Sequence, residues 1–226
     1  MKPLVHVLED DESVRKSLVR LLGAAGFETR AYVSAGDFLL NPLPTQHGCI
    51  LLDLNMPGPS GLDLQSSLQR ADIQLPIIFL TAHADVSAVI RAMKAGAVDF
   101  LLKPVESEVL LEAIGRALHR DLEQRNERLE ESALLARFAT LSPREKEVFN
   151  RIVAGKLNKQ IADDLGIAER TVKAQRADVL TKLQATCVAD LGRFAEQLAR
   201  LETAKADSDY TKVKRAARNG EDLAAH

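Results

Sequence analysis

Tryptophan is absent from this 226-residue sequence, and aromatic residues make up only 4% of it. A core without large rings has to be filled by aliphatic side chains, which the 46% hydrophobic fraction supplies. Cysteine is nearly absent too. Cys49 and Cys187 stand far apart and form no metal-ligand spacing, so they read as inert thiols of a reducing cytosol. No stretch approaches the roughly 18 apolar residues of a membrane helix. The apolar Leu4–Leu8 runs straight into Glu9-Asp10-Asp11-Glu12, so neither a leader peptide nor a membrane contact is expected, and the expected location is the cytoplasm. The net charge of -2 is small but unevenly spread. Residues 1–139 hold 14 Lys and Arg against 19 Asp and Glu, a charge of -5, and residues 140–226 hold 16 against 13, a charge of +3. An acidic front and a basic back point to two jobs, the second with a polyanion.

What is present in the first half is regular alternation. Short apolar runs at Leu4–Leu8, Phe27–Tyr32, Gly48–Asp53, Pro76–Thr81 and Ala97–Leu102 read as strands, the third bounded by the turn residues Asn55-Met56-Pro57-Gly58. Between them lie amphipathic stretches at Ser13–Gly23, after Ser34, at Gly61–Arg70 and at Val86–Ala95, and Glu106 opens a further helix. Repeated strand-helix units predict an α/β domain with a five-stranded, doubly wound parallel sheet covered by helices on both faces.

From Leu111 the helical pattern continues through Leu118, Leu122, Leu129 and Ala136, with a charged sequence between them that reads as exposed, Asp121 and Arg125 included. This is a long linker helix over 121–139. A pairing of that helix with its own copy is the alternative, weakened by Arg125 and Ser132 at seam positions. A second, all-α domain of four helices is expected over 140–204. Ser142, Pro143 and Glu145 form a capping box with proline at the first helical position. Asn158 is expected to cap a second helix ended by Gly166, a third runs from about Ala168 to Leu183, and Thr186 caps a fourth. Two helices joined by a glycine-containing turn form a helix-turn-helix pattern. Residues 205–226 lack apolar periodicity and read as a disordered tail.

If the first and third strands are neighbours, Glu9, Asp10 and Asp53 meet at one sheet edge. Near a surface, three carboxylates repel by roughly 1–4 kcal/mol per pair, so such a cluster calls for a cation, and its hard oxygens suit Mg²⁺. The fourth strand ends in Thr81, a hydroxyl, and the fifth leads to Lys103-Pro104, an ammonium beside a rigid turn. Acids with a metal, a hydroxyl and an ammonium surround a place for a phosphoryl group, with Asp53 as the nucleophile. Taken singly each residue has a plainer explanation as a turn former, helix cap or β former. Their coincidence at the ends of successive strands favours chemistry. Two other readings stand beside it: a metal-dependent phosphotransfer enzyme or phosphatase, and an output domain that binds protein or RNA.

Residues 1–120 resemble the receiver domain of bacterial two-component response regulators, on Val5-His6-Val7-Leu8-Glu9-Asp10-Asp11, Asp53-Leu54-Asn55-Met56-Pro57-Gly58, Thr81-Ala82 and Lys103-Pro104. The resemblance implies that Asp53 accepts phosphate from a sensor histidine kinase, and that Asp10, Asp53 and the Asn55 carbonyl bind Mg²⁺ with help from Glu9. It implies a phosphate-binding and switch set of Thr81, Ala82, Lys103 and Phe100, and no enzyme activity beyond the domain's own phosphoryl transfer and dephosphorylation. Glu9 stands where Asp is commoner, and Phe100 where Tyr is frequent.

At about 100° per residue, Val172, Val179 and Leu183 share one side of the third helix and should pack on Ile161 and Leu165. Arg170, Lys173, Ala174, Ala177 and Thr181 fall on the other side, facing a major groove, with base reading centred on Lys173. Lys159, Thr171 and Lys182 are candidate phosphate contacts, and Arg176, nearer the buried side, either reaches a phosphate or pairs internally. Residues 140–204 resemble the LuxR-type DNA-binding domain on Leu141-Ser142-Pro143-Arg144-Glu145, Asn158-Lys159-Gln160-Ile161-Ala162, Thr171-Val172-Lys173 and Lys182-Leu183. The whole layout is similar to the nitrogen-fixation branch of response regulators, styrene- and toluene-type members included. It implies a transcription factor that binds double-stranded promoter DNA, forms a homodimer when phosphorylated, and has RNA polymerase as a further partner.

Overall fold

The computed structural model describes residues 2–41, 46–82 and 85–203. It divides at Asn126 and Glu127 into two compact units. The expected tail at 205–226 lies outside the described residues.

Unit 1 carries β1 (Leu4–Leu8), α1 (Glu12–Ala24), β2 (Glu28–Tyr32), α2 (Ala35–Leu40), β3 (Gly48–Asp53), α3 (Gly61–Arg70), β4 (Ile77–Thr81), α4 (Val86–Lys94) and β5 (Asp99–Leu102), followed by the start of α5 (Ser107–Ala139). The strands form one sheet in the order β2-β1-β3-β4-β5, and every pairing is parallel. β1 and β3 are therefore neighbours, as the acid cluster requires. The three central strands are buried on both faces, which explains their continuous rather than alternating apolar runs. On one face Val5, Val7, Leu51 and Leu80 pack with Leu18 and Leu22 of α1 and Leu110 and Ile114 of α5. On the other, Leu8, Ile50, Leu52 and Phe79 pack with Phe38, Leu64, Leu68, Ala88 and Ala92 from α2, α3 and α4. Local caps follow sequence chemistry: Asp11 accepts from the Val14 amide, Ser34 from Asp37, and Ser60 and Asp63 form a reciprocal box.

His6 on β1 is buried at 1% exposure. Its Nδ1 lies 3.2 Å from the Tyr32 hydroxyl, and its Nε2 has no partner among the described residues. Burial first, and Arg30 second, push its pKa from 6.5 down to about 4. The unfolded chain therefore takes the proton first as pH falls. The stabilisation from keeping His6 neutral is complete above pH 6.5 and is lost between pH 6.5 and 4. The loss amounts to about 2–3 kcal/mol. Urea midpoints of the wild type and His6→Leu at pH 7 and pH 4.5 check this. The wild type should fall further, and parallel pH profiles would contradict the assignment.

At the opposite end of β3 from Asp53, Asp121 is buried, whereas its place in a charged helical run predicts exposure. Its Oδ2 accepts from His47 Nδ1 at 2.7 Å, the Gly48 amide at 2.9 Å and Arg125 Nε at 2.7 Å. A second Arg125 nitrogen donates to the Gln46 carbonyl at 2.9 Å. Gly48 is obligatory here, because an added Cβ would stand 2.0 Å from the Leu4 carbonyl oxygen. Cys49 is buried beside this cluster and its thiol is pushed up to about 12, mainly by burial, which makes it inert as expected. Cys187 is exposed.

Unit 2 holds the last turns of α5, then α6 (Pro143–Val153), α7 (Asn158–Leu165), α8 (Glu169–Lys182) and α9 (residues 188–203). Leu134 and Phe138, within the segment read as linker, lie in or against the core of this unit with Phe149, Ile161, Val172, Val179, Leu191 and Phe194. The end of α5 is thus part of the helical domain's packing. The Ser142–Glu145 box forms as expected, with Pro143 at the first helical position. Two expected caps do not. Asn158 is itself helical, the Leu157 amide is satisfied by Gln160 Oε1 at 2.8 Å, and the Asn158 side chain turns to Arg176. At α9 the Asp190 carboxylate reaches back to the Thr186 amide and hydroxyl and the Cys187 amide.

Candidate functional site

The carboxyl ends of β1 and β3 bring Glu9, Asp10 and Asp53 together, with one carboxylate oxygen of each within 4.8 Å of the others. Glu9 is buried at 1% exposure and Asp53 at 6%, while Asp10 is exposed. Lys103, just after β5, bridges the two buried acids: its Nζ is 2.6 Å from Glu9 and 2.9 Å from Asp53 Oδ2. Asp53 Oδ1 accepts from the Asn55 amide at 3.2 Å. The Asn55 side-chain amide donates to Thr81 Oγ1 at 3.3 Å. Glu9, Asp10, Asp53, Asn55, Thr81 and Lys103 are therefore joined at one sheet edge. Ala82 is exposed beside them. Phe100 stands behind, half-buried, its ring stacked on Phe79 with centroids 5.8 Å apart.

Burial raises the Glu9 carboxyl above its ordinary value, and the Lys103 contact only partly offsets this. For Lys103 burial acts the other way, but its bonds to Glu9 and Asp53 outweigh it, and the ammonium is raised above its ordinary value. The lysine is firmly charged and holds two like charges together. Gly61, first in α3, permits this approach: a Cβ there would come within 2.7 Å of the Asp53 carbonyl oxygen. Arg15, not singled out in the sequence, donates to the carbonyls of Glu9 at 2.7 Å and Asp10 at 3.0 Å. It braces the loop that carries both acids. Its only sequence signal was a cation one turn into the helix after the acid run.

The second candidate surface is on α8. Val172, Val179 and Leu183 point into the core with Ile161 and Ala162, and Leu165 packs against them. Gly166 ends α7 with a left-handed φ of 63°, setting the turn into α8. Arg170, Thr171, Lys173, Ala174, Ala177 and Thr181 are exposed, as is Lys159 on α7. Lys173 has one exposed neighbour, Glu169, at 3.4 Å, a pair that costs little to break. Arg176 takes the internal alternative, with Nη1 donating to Asn158 Oδ1 at 3.0 Å. Lys182 is engaged by both Glu145 oxygens, at 2.8 and 2.7 Å. That contact, ahead of the Ser142 amide, holds the Glu145 carboxyl below its ordinary value. A phosphate at Lys182 would compete with this ion pair.

Comparison with known proteins bears on both surfaces. Residues 5–115 match the response regulator receiver domain, and residues 139–195 match the bacterial regulatory proteins of the luxR family. The chain is 45% identical over 197 residues to nodulation protein W of Bradyrhizobium diazoefficiens, covering 87% of each. It is 41% identical over 191 residues to the transcriptional regulatory protein FixJ of Azorhizobium caulinodans, covering 84% of this chain and 90% of that one. Among solved structures, the response regulator StyR is similar with a TM-score of 0.82 and 44% identity, covering 87% of this chain and 100% of that one. The chain belongs to the bacterial response regulators that join a receiver domain to a luxR-family DNA-binding domain and act as transcriptional regulators.

Proposed function

We propose that Asp53 is the phosphoryl acceptor of this regulator and that its phosphorylation by a sensor histidine kinase controls binding of the α8 surface to promoter DNA. The observation that carries the reading is the placement of the buried Asp53 carboxylate, 2.9 Å from Lys103 Nζ and beside Glu9 and Asp10. An Asp53 oxygen attacks phosphorus while the bond from phosphorus to the donor's histidine nitrogen breaks, leaving an acyl phosphate on Asp53. Lys103 neutralises the oxygens of the transferred group, and the Thr81 hydroxyl turns to donate to one of them. Phe100 follows Thr81 inward as the steric half of the switch. Glu9, Asp10, Asp53 and the Asn55 carbonyl are hard oxygen donors fitted to Mg²⁺, and exposed Asp10 leaves one side open to water, as that ion requires. When bound there, the ion supplies positive charge to the transferring oxygens.

The working division is a receiver over 1–120, a connecting helix over 121–139 and a DNA-binding domain over 140–204. No helix among the described residues is long and apolar enough to cross a membrane, in keeping with work on DNA in the cytoplasm. The phosphorylated form is a homodimer, with RNA polymerase as a further partner. On α8, Lys173 with Arg170, Ala174 and Ala177 faces the bases, while Lys159 and Thr171 face phosphates. Footprinting of the target promoter by the intact chain tests this surface. Lys173→Ala is expected to cost about 1–3 kcal/mol and to relax sequence preference at one position. Unchanged affinity and footprint would remove Lys173 from the interface.

A further inference from the structure

A groove of about 480 Å³ runs in unit 2 between the end of α5 and the end of α9. Its apolar lining includes Leu134 and Leu201, and the acids Glu127, Glu130 and Glu131 line its α5 side. Spacings of three and four residues place these acids on one helix face, where like charges disfavour each other. None of the three has an ion-pair partner among the described residues. Two cations line the groove as well: Arg200 on α9 is already paired with Glu196 at 2.6 Å, and Arg137 on α5 donates to the Ala133 carbonyl and lies over the Phe194 ring. The groove is thus apolar at its base, and the three acids along one side outnumber its two cations, of which Arg200 already has a carboxylate.

The sequence that follows it has the opposite character. Residues 212–218, Lys-Val-Lys-Arg-Ala-Ala-Arg, hold four cations and no acid. α9 is described to residue 203, two positions after Leu201, which lines the groove. The nine-residue step from Thr203 to Lys212 spans up to about 30 Å, whereas Glu127 to Leu134 covers only about 10 Å along α5. Reach is ample. A tether of this length also gives a local concentration on the order of millimolar, so weak charge contacts suffice.

We infer that the segment 212–218 docks in cis into the groove between α5 and α9, its cations against Glu127, Glu130 and Glu131 and Val213 toward Leu134 and Leu201. This sets four positive charges aside from DNA phosphates and makes the docked segment sensitive to salt.

Zero-length carbodiimide coupling of the intact chain at low micromolar concentration, read by peptide mass spectrometry, tests the docking. Isopeptide bonds from Lys212 or Lys214 to Glu127, Glu130 or Glu131 are expected. They should fall at least tenfold in 1 M salt and vanish in Glu127→Gln/Glu130→Gln/Glu131→Gln, whose changes lie at exposed positions. In an equal mixture of ¹⁴N and ¹⁵N chains these bonds should join peptides of the same label. Mixed-label products would assign the groove to a second copy and overturn the proposal. It is equally overturned if the bonds are absent and truncation after Thr203 lowers the salt slope of DNA binding by about 3–4, which would place the segment on DNA.

Discussion

Asp53→Asn is expected to take up no phosphoryl label from a small phosphodonor with Mg²⁺, while the wild type is labelled on a single carboxylate. The substitution is nearly isosteric, so Lys103 keeps an oxygen near 2.9 Å and the fold should persist. What disappears is the anionic nucleophile, since an amide oxygen cannot form the acyl phosphate. Glu9 and Asp10, assigned to the Mg²⁺ site, are not expected to replace it. Glu9 is drawn onto Lys103 at 2.6 Å and is buried, and Asp10 is exposed in the loop braced by Arg15. Persistent labelling of Asp53→Asn would mean another acceptor and would dissolve the chemical reading of the sheet edge.

The largest expected loss of stability is at the other end of β3. Asp121→Ala should lower unfolding stability by about 2–4 kcal/mol, read from urea midpoints. One oxygen serves His47, Gly48 and Arg125, all within 2.9 Å. Truncation takes the acceptor from the buried Gly48 amide and removes the carboxylate that Arg125 Nε meets at 2.7 Å. Asp121→Asn, which keeps one acceptor, should lose less. A change under about 1 kcal/mol for Asp121→Ala would show that water replaces the carboxylate at little cost.

The contrast between Asp53 and Asp121 explains what could be read from residues alone. Asp53 closes an apolar run before a turn, and every partner found for it also sits at a strand end, so periodicity and topology predicted their meeting. Asp121 lies in a helix rich in charges, where an acid four residues before an arginine reads as a solvated pair. Its deciding partner, the Gly48 amide, is 73 residues away, and no local pattern announces it. On α8 the helical angle predicted which residues face out, because the apolar stripe of Val172, Val179 and Leu183 fixes the rotation. The same angle did not predict that Glu145 would take Lys182. Asn158 and Thr186 have the right chemistry to cap, but the side-chain bonds at the two helix starts come from Gln160 and Asp190, which reach back to the Leu157, Thr186 and Cys187 amides.

The measurement closest to the central claim is promoter binding by the intact chain with and without phosphodonor and Mg²⁺, for the wild type and Asp53→Asn. The wild type should bind about 5–150-fold more tightly when phosphorylated, the span of a coupling of about 1–3 kcal/mol, and Asp53→Asn should not respond to the donor. Equal affinity of labelled and unlabelled wild type, or an equal donor response in Asp53→Asn, would contradict control of the DNA-binding half through Asp53.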